Sequence, residues 1–418
     1  MRRTDVLLCT RREANSRDSE TVQLAQRAGL IRQFGSGLYA FTPSGERVRQ
    51  HVIRIVTTEL NRIGGQAVDL PQLQYRPIWE QSGRWGNFED EMFTFENRDG
   101  QQMCLAPSHE EGIVHLVDGI VRSYEDLPVL LYQVGKKHRD DHPRNGLLRT
   151  KEFTMKDAYS LHASDESLDT WYERVRSAYV RIFDRLGIEF VVADADNSVM
   201  GGANSEEFIA LADSGTVDVR WCTGDECLFG STDESKEQDI AAFDSCPDCG
   251  AQLTAGEGIE IGHVFKLGTR YSDSIGLHVD TADETTTAVR MGSYGIGIDR
   301  LIHTLIEQHA DESGCRWPAS ETARIAPFEV SIIPLDYEGD LKDTADELHR
   351  TLDSGSVLLF DDATQTIGER FAESDLLGIP QKVVLGNHFR ETNEVEIETR
   401  DGETRFVDVG SVTERLRT

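Results

Sequence analysis

The sequence predicts a mixed α+β domain followed by a separate α/β domain. Its 418 residues are sufficient for two to four folded units at ~100–200 residues per domain. Over most of the chain, helical and strand patterns alternate irregularly and the strands carry polar residues on one side, which favours α+β over a doubly wound parallel sheet. Beyond residue 328 the alternation becomes regular, which is typical of a βαβαβ unit.

Local patterns predict the individual elements. Apolar residues at helical spacing predict a helix from about Ser44 to Arg62 and another that begins at Ser167 and stops at Gly187. Segments rich in strand-forming residues predict strands at 67–73, 129–134, 147–155 and 286–291. In the last domain, the pattern predicts strands at 329–334, 357–360 and 382–385, helices at 341–352 and 367–377, a hairpin about 400–402, and a final helix.

The composition excludes several classes of protein. With 28% charged and 38% hydrophobic residues, it is that of a globular chain. No segment approaches the ~20 apolar residues that a bilayer-spanning helix needs, and no apolar signal-peptide core follows Met1. We therefore expect a soluble, cytoplasmic protein without a membrane partner.

The charge balance is strongly acidic. The chain has 74 acidic and 43 basic residues, a formal net charge of −31, and only eight of the basic residues are lysine. The acidic excess is spread over the whole chain, which is typical of a halophile. In molar salt the Debye length falls to ~3 Å, so this charge does not exclude a nucleic-acid partner.

Three segments outside the cysteines have residue types suited to a binding site. The basic island Lys136–Lys156 lies on two predicted strands and could present cations to phosphate, or it could be a solvated hairpin with local ion pairs. The pattern of residues 290–300 predicts a strand, a glycine-rich turn and a helix. The glycines would allow the backbone to come close to a ligand, or they would simply form an ordinary turn. Ser108 and Glu111 fit a helix capping box; Glu110 is left outside it, although a carboxylate in the first helical turn also suits the helix dipole.

Four of the seven cysteines have the spacing of a metal site. Two pairs, Cys222 with Cys227 and Cys246 with Cys249, are separated by eighteen residues, and four thiolates are the ligand set of structural zinc. Such a site leaves no open position for catalysis. The alternatives are four free thiols in a mobile insertion, or a zinc site that has lost its ability to bind the metal. The remaining cysteines stand alone and are expected to be reduced.

Together, three of these features resemble motifs 1, 2 and 3 of the class II aminoacyl-tRNA synthetases. They are a long helix leading to a strand with Pro71, the hairpin from Arg139 to Phe153, and the strand and helix that carry Gly295-x-Gly297-x-x-Arg300. Nearly the whole chain resembles the bacterial-type prolyl-tRNA synthetases. The matching strings are Arg27–Arg32, Ser36–Tyr39, Glu80–Trp85, Arg149–Ser160, Gly262–Thr269 and Arg290–Arg300.

The resemblance implies an architecture. It predicts an antiparallel catalytic sheet flanked by helices, a homodimer formed partly through motif 1, and a C-terminal α/β anticodon-binding domain. The domain limits are then 1–205 and 257–322 for the catalytic domain, 206–256 for a short cysteine-containing insertion, and 328–418 for the anticodon-binding domain. Many bacterial relatives carry a long editing domain where this chain has the short insertion, so we expect no hydrolysis of alanyl-tRNA in cis.

The resemblance also implies substrates and site residues. The substrates are L-proline, ATP with Mg²⁺ bridging its phosphates, and tRNA(Pro). Arg139 and Arg300 are the catalytic cations. The implied ATP-binding residues are Arg139, Asp141, Arg149, Thr150, Phe153, Glu260, His263 and Arg300. The implied proline-binding residues are Ser108, Glu110, Arg139, Asp157, Phe265 and Ser293.

These residues favour a proline–tRNA ligase that forms prolyl-adenylate and then charges tRNA. The alternative is a synthetase-like paralogue that binds ATP, amino acid or RNA without charging tRNA. Joint retention of Arg139, Phe153, Glu110 and Arg300 favours the enzyme. A threonyl-type synthetase would need a catalytic zinc site in the aminoacylation pocket, whereas the cysteines here lie in the insertion.

Overall fold

The computed structural model describes residues 1–14, 18–87, 91–195, 200, 205–233, 245–320, 323–352 and 355–416. The chain divides into two compact units. A large unit comprises residues 35–38 and 53–304, and a small unit comprises 1–34, 39–52 and 305–418. Among the described residues, no helix is long and apolar enough to cross a bilayer.

Up to residue 309 the chain alternates helices with short and long strands. The helices are α1 (Glu20–Arg27), α2 (Pro43–Arg62), α3 (Arg76–Gln81), α4 (Arg84–Asn87), α5 (Glu110–Val117), α6 (Asp165–Leu186), α7 (Arg270–Ile275) and α8 (Ile298–His309). The strands are β1 (Ile31–Gly35), β2 (Leu38–Phe41), β3 (Gln66–Ala67), β4 (Leu73–Tyr75), β5 (Thr94–Glu96), β6 (Gln102–Leu105), β7 (Val129–His138), β8 (Glu152–His162), β9 (Phe190–Asp194), β10 (Ser205–Leu211), β11 (Val217–Cys222), β12 (Gly230–Thr232), β13 (Leu253–Gly268), β14 (His278–Asp280), β15 (Thr286–Ala288) and β16 (Arg290–Gly297).

The rest of the chain is more regular. Its helices are α9 (Gly339–Leu352), α10 (Ile367–Leu377), α11 (Asn387–Thr392) and α12 (Val412–Leu416). Its strands are β17 (Ala319–Ser320), β18 (Ala323–Arg324), β19 (Val330–Pro334), β20 (Val357–Leu359), β21 (Gln381–Leu385), β22 (Glu394–Thr399) and β23 (Thr404–Asp408).

A nine-stranded sheet organises the large unit. Its order is β12-β11-β13-β16-β8-β7-β3, with β10 paired to both β13 and β9. The long central pairs are antiparallel, and β3 joins β7 in parallel. The predicted α+β class with an antiparallel sheet is therefore confirmed.

Helix α6 packs its apolar stripe on the sheet. Rings of Tyr179 and Phe183 on α6 approach Gly262 of β13 so closely that an added Cβ would lie 3.1–3.3 Å from them. The helix begins at Asp165 with Ser164 as its N-cap, three residues earlier than predicted, because the Ser164 side chain accepts the Ser167 backbone N–H. It ends, as predicted, at Gly187, where φ is 69°.

Two predicted strands were wrong in extent. The segment predicted as one strand at 67–73 divides into β3 and β4, which belong to different sheets, and Pro71 lies between them. Residues 147–151 form the end of a loop rather than the start of β8, although Leu147 and Leu148 are buried. Burial of these two leucines within the loop explains why they resembled a strand.

The small unit contains a five-stranded sheet in the order β20-β19-β21-β22-β23. Strand β19 is parallel to β20 and β21, and β22 and β23 form the predicted hairpin. Helix α10 has the predicted bounds because the Thr366–Glu369 capping box begins it and Gly378 ends it.

The segment predicted as an insertion lies partly within the large sheet. Strand β10 pairs with β9, and β11 pairs with β13. Only residues 223–252 lie between β11 and β13, and they include β12, a further strand of the sheet. The domain limits inferred from the sequence stay a prediction.

Candidate active site

A cavity of about 510 Å³ lies on the nine-stranded sheet of the large unit. Its walls come from β8, β13 and β16, the loop between β7 and β8, and the start of α5. All the residues that the resemblance assigned to ATP or proline line this single cavity. They are Ser108, Glu110, Arg139, Asp141, Arg149, Thr150, Phe153, Asp157, Glu260, His263, Phe265, Ser293 and Arg300.

Two arginines give the cavity a cationic wall. Arg139 directly follows β7, and its guanidinium lies over the Phe153 ring at 5.5 Å. Arg300, in the first turn of α8, donates hydrogen bonds to the Leu148 carbonyl at 3.0 Å and the Glu260 carboxylate at 2.9 Å. Burial and the charge of Arg300 both lower the pKa of Arg139. Two guanidinium groups that repel each other in one cavity are suited to bind a polyanion, because its charge offsets their repulsion.

An acidic group lies beside Arg300. Ligand atoms of Glu207, Glu260 and His263 all fall within 4.8 Å of one another. Burial raises the pKa of Glu260, but Arg300 and His263 outweigh burial and hold that pKa below its ordinary value. The His263 ring stacks on Phe265 with centroids 3.7 Å apart. Two carboxylates beside an imidazole, one of them the ionised Glu260, fit a divalent cation.

Glu110 is one of the buried acids of the cavity. Its carboxylate accepts hydrogen bonds from Arg84 Nη1 at 3.0 Å and Ser293 Oγ at 3.0 Å. Burial raises its pKa, yet Arg84 and hydrogen bonds from Ser108 and Ser293 bring the pKa below the usual value. Glu110 is therefore an ionised acceptor within reach of a bound cation.

Asp157 lies in a separate hydrogen-bonded group. It pairs with Lys137 at 2.8 Å and accepts hydrogen bonds from Gln133 at 2.9 Å and the Tyr159 hydroxyl at 2.8 Å. His109 also contacts Lys137, and burial together with that lysine lowers the pKa of His109 to about 4. The imidazole is consequently neutral at physiological pH.

The predicted capping box at the start of α5 was wrong. His109 occupies the N-cap position and makes no side-chain capping bond. Ser108 Oγ instead accepts from Arg84 Nη2 at 3.0 Å, and Glu111 accepts from Ser82 Oγ at 2.6 Å. Both side chains are used in contacts with α4 and the turn before it, so they are unavailable to cap the helix.

The basic island consists mostly of local ion pairs. Lys136 pairs with Glu152 at 3.4 Å, Lys151 with Asp140, and Arg149 with Asp141. Lys137 and Lys156 are buried within the sheet. Local ion pairing therefore describes most of these cations better than presentation to phosphate does. Arg139 differs from them, because it lies over Phe153 in the cavity.

The glycine-rich run is strand rather than turn. Strand β16 continues through Gly297 and passes directly into α8. A Cβ at Gly292 would lie 2.1 Å from the Tyr294 hydroxyl, so packing within the sheet requires that glycine. The prediction of a turn here was wrong, while the predicted strand before it and helix after it are present.

Sequence reasoning gave no individual role to Arg84 and only a helix-capping role to Glu111. Arg84 is 2% exposed and bonds to Glu110, Glu111 and Ser108, with its guanidinium 4.9 Å from the centre of the Trp79 ring. The string that contains Arg84 was recognised only as part of the resemblance. The usable signal was the adjacent pair of acids at the start of α5, because two buried carboxylates need a nearby cation.

The four cysteines predicted to bind metal come together. Their sulfur atoms all lie within 4.8 Å of one another, with 3.3 Å between Cys222 and Cys249 and 3.7 Å between Cys227 and Cys246. The Gly224 backbone N–H donates to Cys222 Sγ at 3.2 Å. This is a knuckle-like turn of the kind that holds thiolates around a metal.

Comparison with known families identifies the chain. Residues 93–309 match the tRNA synthetase class II core domain of the G, H, P, S and T group, and residues 329–418 match an anticodon binding domain. A proline–tRNA ligase of Agrobacterium fabrum is 37% identical over 94% of this chain and 95% of its own length. A proline–tRNA ligase of Anaplasma marginale is 37% identical over 94% of this chain and 93% of its own length. The chain belongs to the prolyl-tRNA synthetase family.

Solved structures of the family share the fold. A prolyl-tRNA synthetase of Giardia lamblia in complex with prolyl-adenylate has a TM-score of 0.75 at 19% identity, covering 93% of this chain and 74% of that one. The Cryptosporidium parvum enzyme with L-proline and AMP has a TM-score of 0.74 at 16% identity, covering 95% and 73%. Membership in the family makes this chain an aminoacyl-tRNA synthetase, which confirms the predicted enzyme class.

Proposed function

We propose that this chain condenses L-proline with ATP to prolyl-adenylate and transfers the prolyl group to the 3′ end of tRNA(Pro). The observation that carries the proposal is one cavity with Arg139 and Arg300 on one wall and ionised Glu110 on another. A zwitterionic amino acid and a polyphosphate need those charges in that arrangement. Relatives that are 37% identical and named proline–tRNA ligases support the same substrates.

The proposed activation step needs alignment rather than a base. The proline carboxylate is already ionised and attacks the α-phosphorus of ATP, while pyrophosphate leaves. Arg139 reduces the repulsion between the two anions, and Arg300 holds the phosphate tail, so the arginines align the reacting groups and stabilise the developing charge. Glu110 orients the imino acid through its nitrogen.

The remaining cavity residues fit the nucleotide. Phe153 offers an aromatic face below Arg139, which suits stacking of adenine. The Asp141–Arg149 pair and Thr150 lie beside it. Glu260, with Glu207 and His263, would hold Mg²⁺, which when bound neutralises phosphate charge.

The decisive experiment is amino-acid-dependent ATP–pyrophosphate exchange in high salt with each of the twenty amino acids, followed by charging of tRNA(Pro). We expect exchange with proline above all others. Exchange that is absent with proline, or stronger with another amino acid, would refute the proposal. Light scattering in the same buffer measures whether the predicted homodimer forms.

We further propose that the chain does not hydrolyse alanyl-tRNA. Residues 223–252 between β11 and β13 are too few for a separate hydrolytic domain, since domains typically have ~50–250 residues. We expect the deacylation rate of alanyl-tRNA(Pro) with the pure protein to equal the rate in buffer. A rate that grows with protein concentration would contradict this.

We also propose structural zinc at Cys222, Cys227, Cys246 and Cys249. Zn–S bonds of about 2.3 Å in a tetrahedron place sulfur atoms about 3.8 Å apart, close to the separations in this cluster. The cluster links the end of β11 to the segment that leads into β13, which carries Glu260 and His263. Bound zinc would therefore fix one edge of the sheet.

Metal analysis tests this proposal. We expect about one zinc per chain after purification under reducing conditions, and loss of most of it in Cys246→Ser. Cys9→Ser is the control, because Cys9 lies outside the cluster. Zinc content near zero in the unmodified protein, with none taken up after zinc is added, would show that the cluster is a group of free thiols.

A further inference from the structure

Arg84 lies between two buried carboxylates. Its Nη1 atom is 3.0 Å from Glu110 Oε2 and 3.0 Å from Glu111 Oε2, and both acids are almost completely buried. One guanidinium therefore serves two carboxylates. Because burial of an uncompensated charge is costly, this arrangement needs another cation or a proton.

The neighbouring charges do not supply that cation. Asp157 and Lys137 compensate each other at 2.8 Å, and His109 is neutral because burial and Lys137 lower its pKa to about 4. Glu110 and Glu111 thus share Arg84, while Asp157 has Lys137 as its partner. Arg139 adds a positive charge on the wall assigned to the proline carboxylate and phosphate.

We propose that Glu111 is a positioning residue that shares Arg84 with Glu110 and so leaves one excess negative charge, which selects a cationic nitrogen in the amino acid. Glu111 does not touch the substrate; it acts by weakening the hold of Arg84 on Glu110. This proposal rests on the proposed function, and it assigns the preference of Glu110 for a cationic nitrogen to the charge of Glu111. A neutral residue at 111 would let Arg84 neutralise Glu110 fully.

The pKa shifts of the two acids agree with this geometry. Burial raises the pKa of Glu111 and Arg84 only partly offsets it, whereas burial of Glu110 is outweighed by Arg84. Tyr271 of α7 and Cys104 of β6 also face Glu111, and burial raises the pKa of both, that of Cys104 to about 12. Both groups are therefore already protonated at neutral pH, and as the pH falls further Glu111, whose pKa is raised, takes up a proton before Glu110, whose pKa is lowered.

The proposal predicts a selective loss of proline affinity. In Glu111→Gln, we expect KM for proline in pyrophosphate exchange to rise about tenfold, with KM for ATP within about twofold of the original value. Glu111→Asp keeps the charge and should raise KM for proline less. The pKa of Glu111 is raised in the folded protein, so its ionised form opposes folding above the unfolded-state pKa. The Glu111→Gln variant should therefore unfold at a temperature no lower than that of the unmodified protein.

Glu59→Gln is the matched control. Glu59 is also buried on a helix and also bonds two arginines, Arg181 at 2.9 Å and Arg185 at 2.8 Å, but it lies outside the cavity. We expect both KM values to be unchanged in that variant. A folded Glu111→Gln protein with the original KM for proline would overturn the proposal.

The pH profile gives a second test that does not depend on a variant folding. As the pH falls, Glu111 takes up a proton, the excess negative charge disappears, and KM for proline should rise while KM for ATP does not. In Glu111→Gln this rise should be absent. A KM for proline that stays constant as the pH falls to the limit at which the unmodified protein remains folded would contradict the proposal. Absence of any proline-dependent exchange would instead refute the proposed function itself.

Discussion

Replacement of Arg139 by alanine is expected to lower kcat/KM for proline-dependent pyrophosphate exchange at least about a thousandfold. The cause is loss of the cation that we propose lies between the two reacting anions. Burial and the charge of Arg300 both lower the pKa of Arg139, so the charge on Arg139 destabilises the protein when no ligand is bound. A bound anion reverses that cost.

Two further variants make this test specific. Arg139→Lys keeps the charge but loses the planar fork, so we expect partial activity. Arg290→Gln is the control, because Arg290 pairs with Asp165 at 3.3 Å and does not line the cavity. Exchange by Arg139→Ala within tenfold of the unmodified protein would show that Arg139 does not align the substrates.

Elements fixed by local sequence were predictable. Helix α10 has its predicted bounds because a capping box and a C-terminal glycine both lie within a few residues of its ends. Helix α6 was predicted for the same reason, apart from its start, where Ser164 and Ser167 are equally plausible caps from sequence. Each decision depends on neighbours along the chain.

Elements decided by distant partners were harder to predict. The sequence of 147–151 suits a strand, but Arg149 pairs with Asp141 across the loop, and Leu147 and Leu148 are buried there. Likewise, β10 pairs with β13, and the register joins Ser205 to Phe265, two residues that are far apart along the chain. Periodicity alone does not contain this information.

The same distinction applies to the cavity. The candidate residues came from long strings characteristic of a family, and the structure brings those residues to one place, while their individual roles stay predictions. Arg84 was missed because its partners, Glu110 and Glu111, are more than twenty residues away. A local pattern, the capping box, offered an explanation for Glu111 that the long-range ion pair excludes.

Glu110→Gln should have the second large effect, a loss of about a hundredfold to a thousandfold in kcat/KM for proline. The amide keeps the size of the side chain but removes the charge that we propose binds the proline nitrogen. Because the pKa of Glu110 is lowered in the folded protein, its ionised form stabilises the fold above the unfolded-state pKa. The variant should therefore unfold at a slightly lower temperature at neutral pH, and this difference should vanish as the pH falls.

Binding measurements separate the loss of charge from a loss of structure. The affinity of Glu110→Gln for ATP, measured by calorimetry, should equal that of the unmodified protein, because Arg139 and Arg300 remain in place. With Glu110 neutral, Arg84 still bonds Glu111 at 3.0 Å, so the buried guanidinium keeps a counter-charge and the start of α5 keeps its contact with α4. If ATP affinity and proline affinity fell together, Glu110 would be supporting the whole cavity, and the nitrogen of proline would have to find its negative partner elsewhere.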